Sequence, residues 1–137
     1  GEDIRFIARR IMICASEDVG NADPQALVLA VNASLAVERV GMPEAQIILT
    51  QAACYVATAK KSNAAVKAIF AANDVVRKKG NLEIPSYLRD AHYSGHEKLG
   101  RGIGYKYPHD YPGHFVEQQY LPEEIKDYRF YEEDFKK

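Results

Sequence analysis

A chain of 137 residues, 47% of them apolar, is long enough to enclose one hydrophobic core. No apolar run approaches the ~20 residues that cross a bilayer, and no basic stretch leads into an apolar one at the start, so the sequence predicts neither a membrane span nor a secretory leader. The net charge of −1 conceals an asymmetry: residues 1–59 balance to −3, residues 60–106 to +6, residues 107–116 to −1 and residues 117–137 to −3. A basic middle between acidic ends reads either as an anion-binding face or as a surface neutralised by the acidic tail folding over it.

In chain order, four amphipathic helices are predicted between Asp3 and Lys79. Asp3 caps the first, whose apolar residues Ile4, Ile7, Ala8, Ile11 and Ala15 recur at helical spacing. Gly20 stands just past its expected end. Asp23-Pro24 opens the second helix, because the aspartate accepts free backbone N–H groups and proline at the first turn loses no needed donor. Gly41 ends that helix and Pro43 starts the third. Ser62 caps the fourth, and Arg77-Lys78-Lys79-Gly80 closes it with cations where the helix dipole favours them. Cys14 and Cys54 fall on helical patterns, outside any Cys-x-x-Cys spacing, and read as small buried hydrophobes of a reducing compartment.

Helices two and three are apolar nearly all round, in Ala26-Leu27-Val28-Leu29-Ala30-Val31 and Ile47-Ile48-Leu49. A helix of a small domain normally keeps one polar face. Either these two are the central pair of the bundle, or one face is buried against another chain. After Gly80 the helical period fails. Ile84–Arg89, His96–Leu99 and Leu121–Ile125 predict short turns. Between the last two lies an aromatic, glycine-rich stretch containing Tyr105, Tyr107, Tyr111 and Phe115, too rich in rings for a disordered tail. It is expected to be an ordered strap whose rings pack on the helices. No strand pairs with hairpin turns are found, so the fold class is all-α, a single domain over 1–137 with a bundle of about four helices in 1–80 and the strap with short helices in 81–137.

Catalytic chemistry has little support. Gly100-Arg101-Gly102-Ile103-Gly104 is glycine-rich, but no strand precedes it and no Gly-Lys-Ser/Thr ends it, so it does not read as a phosphate loop. His92 and His96 have the spacing of two ligands on one helix face, yet Tyr93-Ser94-Gly95 between them is poor helix sequence. His109, Asp110 and His114 lack a converging partner. No catalytic, cofactor-binding or metal-binding residue is assigned. Lys60, Lys61, Arg77, Lys78 and Lys79 bracket the fourth helix and are the candidate nucleic-acid contacts, of the weak kind made to phosphates. They carry the alternative reading, a nucleic-acid-binding module built on the basic segment 60–106.

Three blocks carry a family resemblance: Phe6-Ile7-Ala8-Arg9-Arg10 running into Ala15–Pro24, then Ala59-Lys60-Lys61-Ser62-Asn63-Ala64, then Gly104–Asp110 running through Gln119-Tyr120-Leu121-Pro122. Together they resemble the C-terminal region of the RarA/MgsA family, replication-associated AAA+ ATPases whose eukaryotic relative is the Werner-helicase-interacting ATPase. The resemblance spans the whole chain. It implies a helical region, like a clamp-loader collar, that assembles subunits into a homotetramer. It also implies a separate AAA+ module on the same polypeptide that binds ATP and Mg²⁺. Action at stalled or gapped forks, DNA, single-strand-binding protein and a cytoplasmic, nucleoid-associated location follow from the same resemblance. The phosphate loop and its acidic partners belong to the ATPase module, so no enzymatic activity and no cofactor are expected of these residues. With the resemblance in hand, the all-round apolar helices read as an oligomer interface that shares residues with the core.

Overall fold

The computed structural model describes residues 1–89 and 102–135, and within them the chain is all helical. The turn expected at His96–Leu99, the His92 and His96 pair, and Gly100-Arg101 lie outside the described residues. Helix α1 spans Ile4–Cys14, α2 Gln25–Val40, α3 Ala45–Thr58 and α4 Ala64–Lys79. Short 3-10 turns follow at Ser86–Leu88, Pro108–Asp110, Pro112–His114 and Glu123–Ile125. The chain divides into two compact units: Gly1–Asp74 with the segment from Phe130 onward, and Val75–Arg129.

In the first unit α1, α2 and α3 pack on one another. Their contact surfaces are built from small residues. Helix α2 turns Ala26, Ala30, Ala33 and Val37 inward, and α3 turns Ala45, Leu49, Ala52 and Val56 inward at the same spacing. One core cluster joins Ala15, Val19, Ala26, Ala30 and Val56; a second joins Ala8, Val37, Ala45 and Leu49; Ile11 packs against both. Alanine at these contacts lets helix backbones approach closely. Of α4, only Ala64 is buried.

Local chemistry sets the helix ends. The Asp3 carboxylate accepts the Arg5 N–H at 2.7 Å. The Asp23 carboxylate accepts the Gln25 N–H at 3.1 Å, and its other oxygen accepts the Tyr55 hydroxyl at 2.9 Å. This second bond ties the start of α2 to α3 and pushes the Tyr55 phenol above its ordinary value. Ser62 Oγ accepts the Ala64 N–H at 3.2 Å, the cap that the sequence predicts for α4.

The predicted first helix does not run unbroken to Gly20. After Cys14 the backbone widens into a π-turn, Ala15–Val19. This turn carries both Ala15 and Val19 inward, at 1% and 0% exposure. The Cys14 thiol donates to the Asp18 carboxylate at 3.1 Å, and that bond, with partial burial, raises the Cys14 pKa. The turn brings the Asp18 carbonyl to the Ser62 N–H at 2.8 Å. Gly20 then takes φ +52, and a Cβ there would stand 2.9 Å from the Ser62 carbonyl oxygen. Only glycine satisfies both conditions.

The segment from Phe130 belongs to this unit by specific bonds. The buried Ser62 hydroxyl donates to the Asp134 carboxylate, Lys67 Nζ lies 4.0 Å from the same group, and Asn21 Nδ2 donates to the Tyr131 hydroxyl at 3.2 Å.

The second unit is held by backbone and amide bonds more than by a core. Gln118 clamps Lys106: its Oε1 accepts the Lys106 N–H at 2.9 Å and its Nε2 donates to the Lys106 carbonyl at 3.1 Å. The Tyr87 hydroxyl donates to the Gln119 carbonyl, and Gly102 N–H to the Ser86 carbonyl at 3.2 Å. Ile125 is buried.

Two expectations are corrected here. The strap rings are not removed from water in the single chain: Tyr107 is 53% and Phe115 75% exposed, and Tyr105 and Tyr111 are exposed as well. Hydrogen bonds and proline turns, rather than ring burial, order the strap. Cys54 is exposed and Cys14 only half-buried, whereas both were expected in the core. The inward stripe of α3 passes through 49, 52 and 56, which leaves position 54 on the opposite face.

Candidate self-association surface

The alanine stripes have a counterpart. On α2 the large apolar residues Leu27, Val28, Val31 and Leu35 stand opposite the inward stripe, and all four are exposed, Leu35 at 55%. On α3 Ile47 is 72% exposed. On α4 Ile69, Phe70 and Val76 are exposed. Side-chain size is thus inverted relative to an ordinary core, with the small residues inside and the bulky ones outside. Covering the exposed part of each is worth ~1 kcal/mol.

Three polar side chains of α2 and α3 turn back on their own helices. Asn32 Nδ2 donates to the Val28 carbonyl at 2.8 Å, Thr50 Oγ1 to the Gln46 carbonyl at 2.7 Å and Thr58 Oγ1 to the Cys54 carbonyl at 2.9 Å. A donor already satisfied within its helix can be covered by an apolar partner without a desolvation penalty. Exposed apolar patches of this kind mark association surfaces.

The basic residues singled out from the sequence are divided between the two units. Lys60 and Lys61 fall in the first unit, and Arg77, Lys78 and Lys79, in the last turn of α4, fall in the second. Lys61 has a structural task that the sequence reading missed. Its ammonium donates to the carbonyls of Val56, Ala57 and Ala59 at 2.9, 3.1 and 2.6 Å, closing the C-terminus of α3. A lysine just past a helix end is the available signal for that role. In the strap, the His109 ring makes tilted contacts with the rings of Tyr107 and His114, with centroids 5.1 and 4.9 Å away. Among the described residues no three His, Cys, Asp or Glu side chains converge as metal ligands would, and no helix is long and apolar enough to cross a membrane.

Comparison with known proteins is consistent along the whole chain. Residues 1–137 match the family described as MgsA AAA+ ATPase C terminal. An uncharacterised AAA domain-containing protein of Mycobacterium tuberculosis is 54% identical over 96% of this chain and 29% of its own length. The replication-associated recombination protein A of Bacillus subtilis is 46% identical over 94% of this chain and 31% of its own length. The ATPase WRNIP1 of Dictyostelium discoideum is 39% identical over 93% of this chain and 15% of its own length. The chain therefore spans less than a third of each of these relatives. A match over every residue, carried by relatives from bacteria to a eukaryote, places this chain in the MgsA AAA+ ATPase C-terminal family.

Proposed function

We propose that the chain is an assembly module, which holds the subunits of a replication-associated AAA+ ATPase together as a homotetramer and performs no catalysis itself. The observation that carries this reading is the inversion of side-chain size: alanines face the helical core while Leu27, Val28, Val31, Leu35, Ile47 and Phe70 face outward. Obligate interfaces resemble a domain core cut in half, and the outward faces of α2, α3 and α4 have that composition. The B. subtilis relative is named a replication-associated recombination protein, which supports a role in replication and recombination. In this reading ATP and Mg²⁺ are bound by a separate AAA+ module of the same protein, in the bacterial cytoplasm. The test is light scattering of the chain at micromolar concentration. A mass about four times the 15.4 kDa of one chain is expected. A mass of 15.4 kDa at every concentration overturns the reading.

A further inference from the structure

Two imidazoles of the strap stand together although no core holds them. The ring centres of His109 and His114 lie 4.9 Å apart, and both residues are exposed. The backbone places them. Pro108 and Pro112 each open a 3-10 turn, Pro108–Asp110 and Pro112–His114. The Asp110 N–H donates to the Tyr107 carbonyl at 3.0 Å and the His114 N–H to the Tyr111 carbonyl at 3.0 Å, which closes both turns.

His114 holds its position against a backbone preference. Among the described residues it is the one non-glycine with positive φ, at +55. L-residues avoid this region because Cβ crowds the following carbonyl oxygen. Gly113 before it is also left-handed, at +68, so two such residues follow one another and the second is a histidine. Strained backbone under a side chain that no packing requires points to function.

The ring spacing suits a single metal ion. Imidazole is a preferred ligand of borderline divalent cations such as Zn²⁺ and Cu²⁺. Zn²⁺ sits about 2.0–2.1 Å from each ligating ring nitrogen, so two rings that share it have centres about 4.5–5.2 Å apart. The observed 4.9 Å falls in that span. Asp110, next to His109 in the chain, makes no ion pair with a described residue and adds a negative charge to the same turn. No third His, Cys, Asp or Glu among the described residues joins the two rings. Water therefore completes the coordination, and the ion exchanges, unlike a structural zinc held by four protein ligands.

We propose that His109 and His114 form a two-imidazole site for a borderline divalent cation, and that the bound ion cross-links the two proline turns of the strap.

Calorimetric titration of the chain with Zn²⁺ tests it, in a background where His92→Gln and His96→Gln silence the other spaced pair of histidines. One ion per chain should bind, and Mg²⁺ should not compete, because it takes oxygen ligands. His109→Asn and His114→Asn should each weaken binding about tenfold or more. Asparagine tolerates left-handed φ, so His114→Asn removes the ligand and keeps the turn. In the parent background the imidazole NMR signals of His109 and His114 should shift together with Zn²⁺, a readout that needs no change in the strap. No saturable binding, an affinity unchanged in either variant, or a shift of only one imidazole overturns the proposal.

Discussion

The hydroxyl of Ser62 donates to the carboxylate of Asp134, 72 residues further along the chain, while the same oxygen accepts the N–H of Ala64. Ser62 is also the buried polar residue on which the π-turn rests through the Asp18 carbonyl. Ser62 therefore ties the start of α4 to the C-terminal segment through its side chain, and to the π-turn after α1 through its backbone N–H. Ser62→Ala should destabilise by ~1–3 kcal/mol, from the lost cap and the orphaned carboxylate. Urea unfolding of Ser62→Ala, Asp134→Ala and the double variant should give a coupling of ~1 kcal/mol. Strict additivity would mean that the tail is not held there.

The outward face of α2 should govern assembly and leave the fold of the subunit intact. Val31→Asp with Leu35→Asp places two charges on exposed positions. The light-scattering mass should fall toward 15.4 kDa, because an unpaired charge buried at an interface costs several kcal/mol. Helical circular dichroism should persist in the dissociated subunit. An unchanged mass would move the interface off α2.

Two glycines separate backbone strain from close approach. Gly20 and Gly41 both have positive φ, but only at Gly20 would a Cβ meet another atom, the Ser62 carbonyl. Gly41→Ala should cost ~1 kcal/mol from strain alone. Gly20→Ala should cost ~2–4 kcal/mol, since the loop at Ser62 must also move. Equal thermal shifts in the two variants would contradict the packing described for the π-turn.

Stability should decline at alkaline pH. The phenol of Tyr55, bonded to Asp23, and the thiol of Cys14, bonded to Asp18, both have folded pKa values raised above their ordinary 10.0 and 9.0. A raised folded value means the folded state binds the proton more tightly. The contribution is therefore complete below the unfolded pKa and is lost as pH rises from about 9 through the folded values. Tyr55→Phe with Cys14→Ser should flatten the denaturation midpoint over that window. A slope identical to wild type would show that these bonds do not report on folding.

Weak DNA contact through Lys60, Lys61, Arg77, Lys78 and Lys79 is a separate proposal, and Lys61 makes it testable. Reversing the charge of Lys60, Arg77, Lys78 and Lys79 should remove low-salt binding. Lys61→Met should lower the melting temperature, because it opens the end of α3. Affinity should fall steeply between ~50 and ~200 mM salt. Binding that survives the four reversals places the DNA surface elsewhere.

The helices and their caps were legible in the sequence because the signals are local. Asp3, Asp23 and Ser62 each act within two residues of their own position. The π-turn was not legible, since a 3.6-residue period cannot reveal a single widened turn before Gly20. The all-round apolar pattern of α2 and α3 showed that neither had a polar face, but not that the alanines would take the inner side. That choice depends on how closely three helices approach, which is a tertiary property. The tether from Ser62 to Asp134 links residues too distant for any local pattern. The strap misled in a different way. Its rings were sound evidence of order, yet proline turns and the Gln118 clamp supply that order while the rings stay in water.

The alanine-lined interior has a consequence for copy number. Under the proposed assembly, a subunit whose helices meet largely through alanines folds alone but gains stability once its outward leucines, valines and phenylalanine are covered, so its stability rises with its abundance. Assembled chains would then resist proteases longer than unpaired ones.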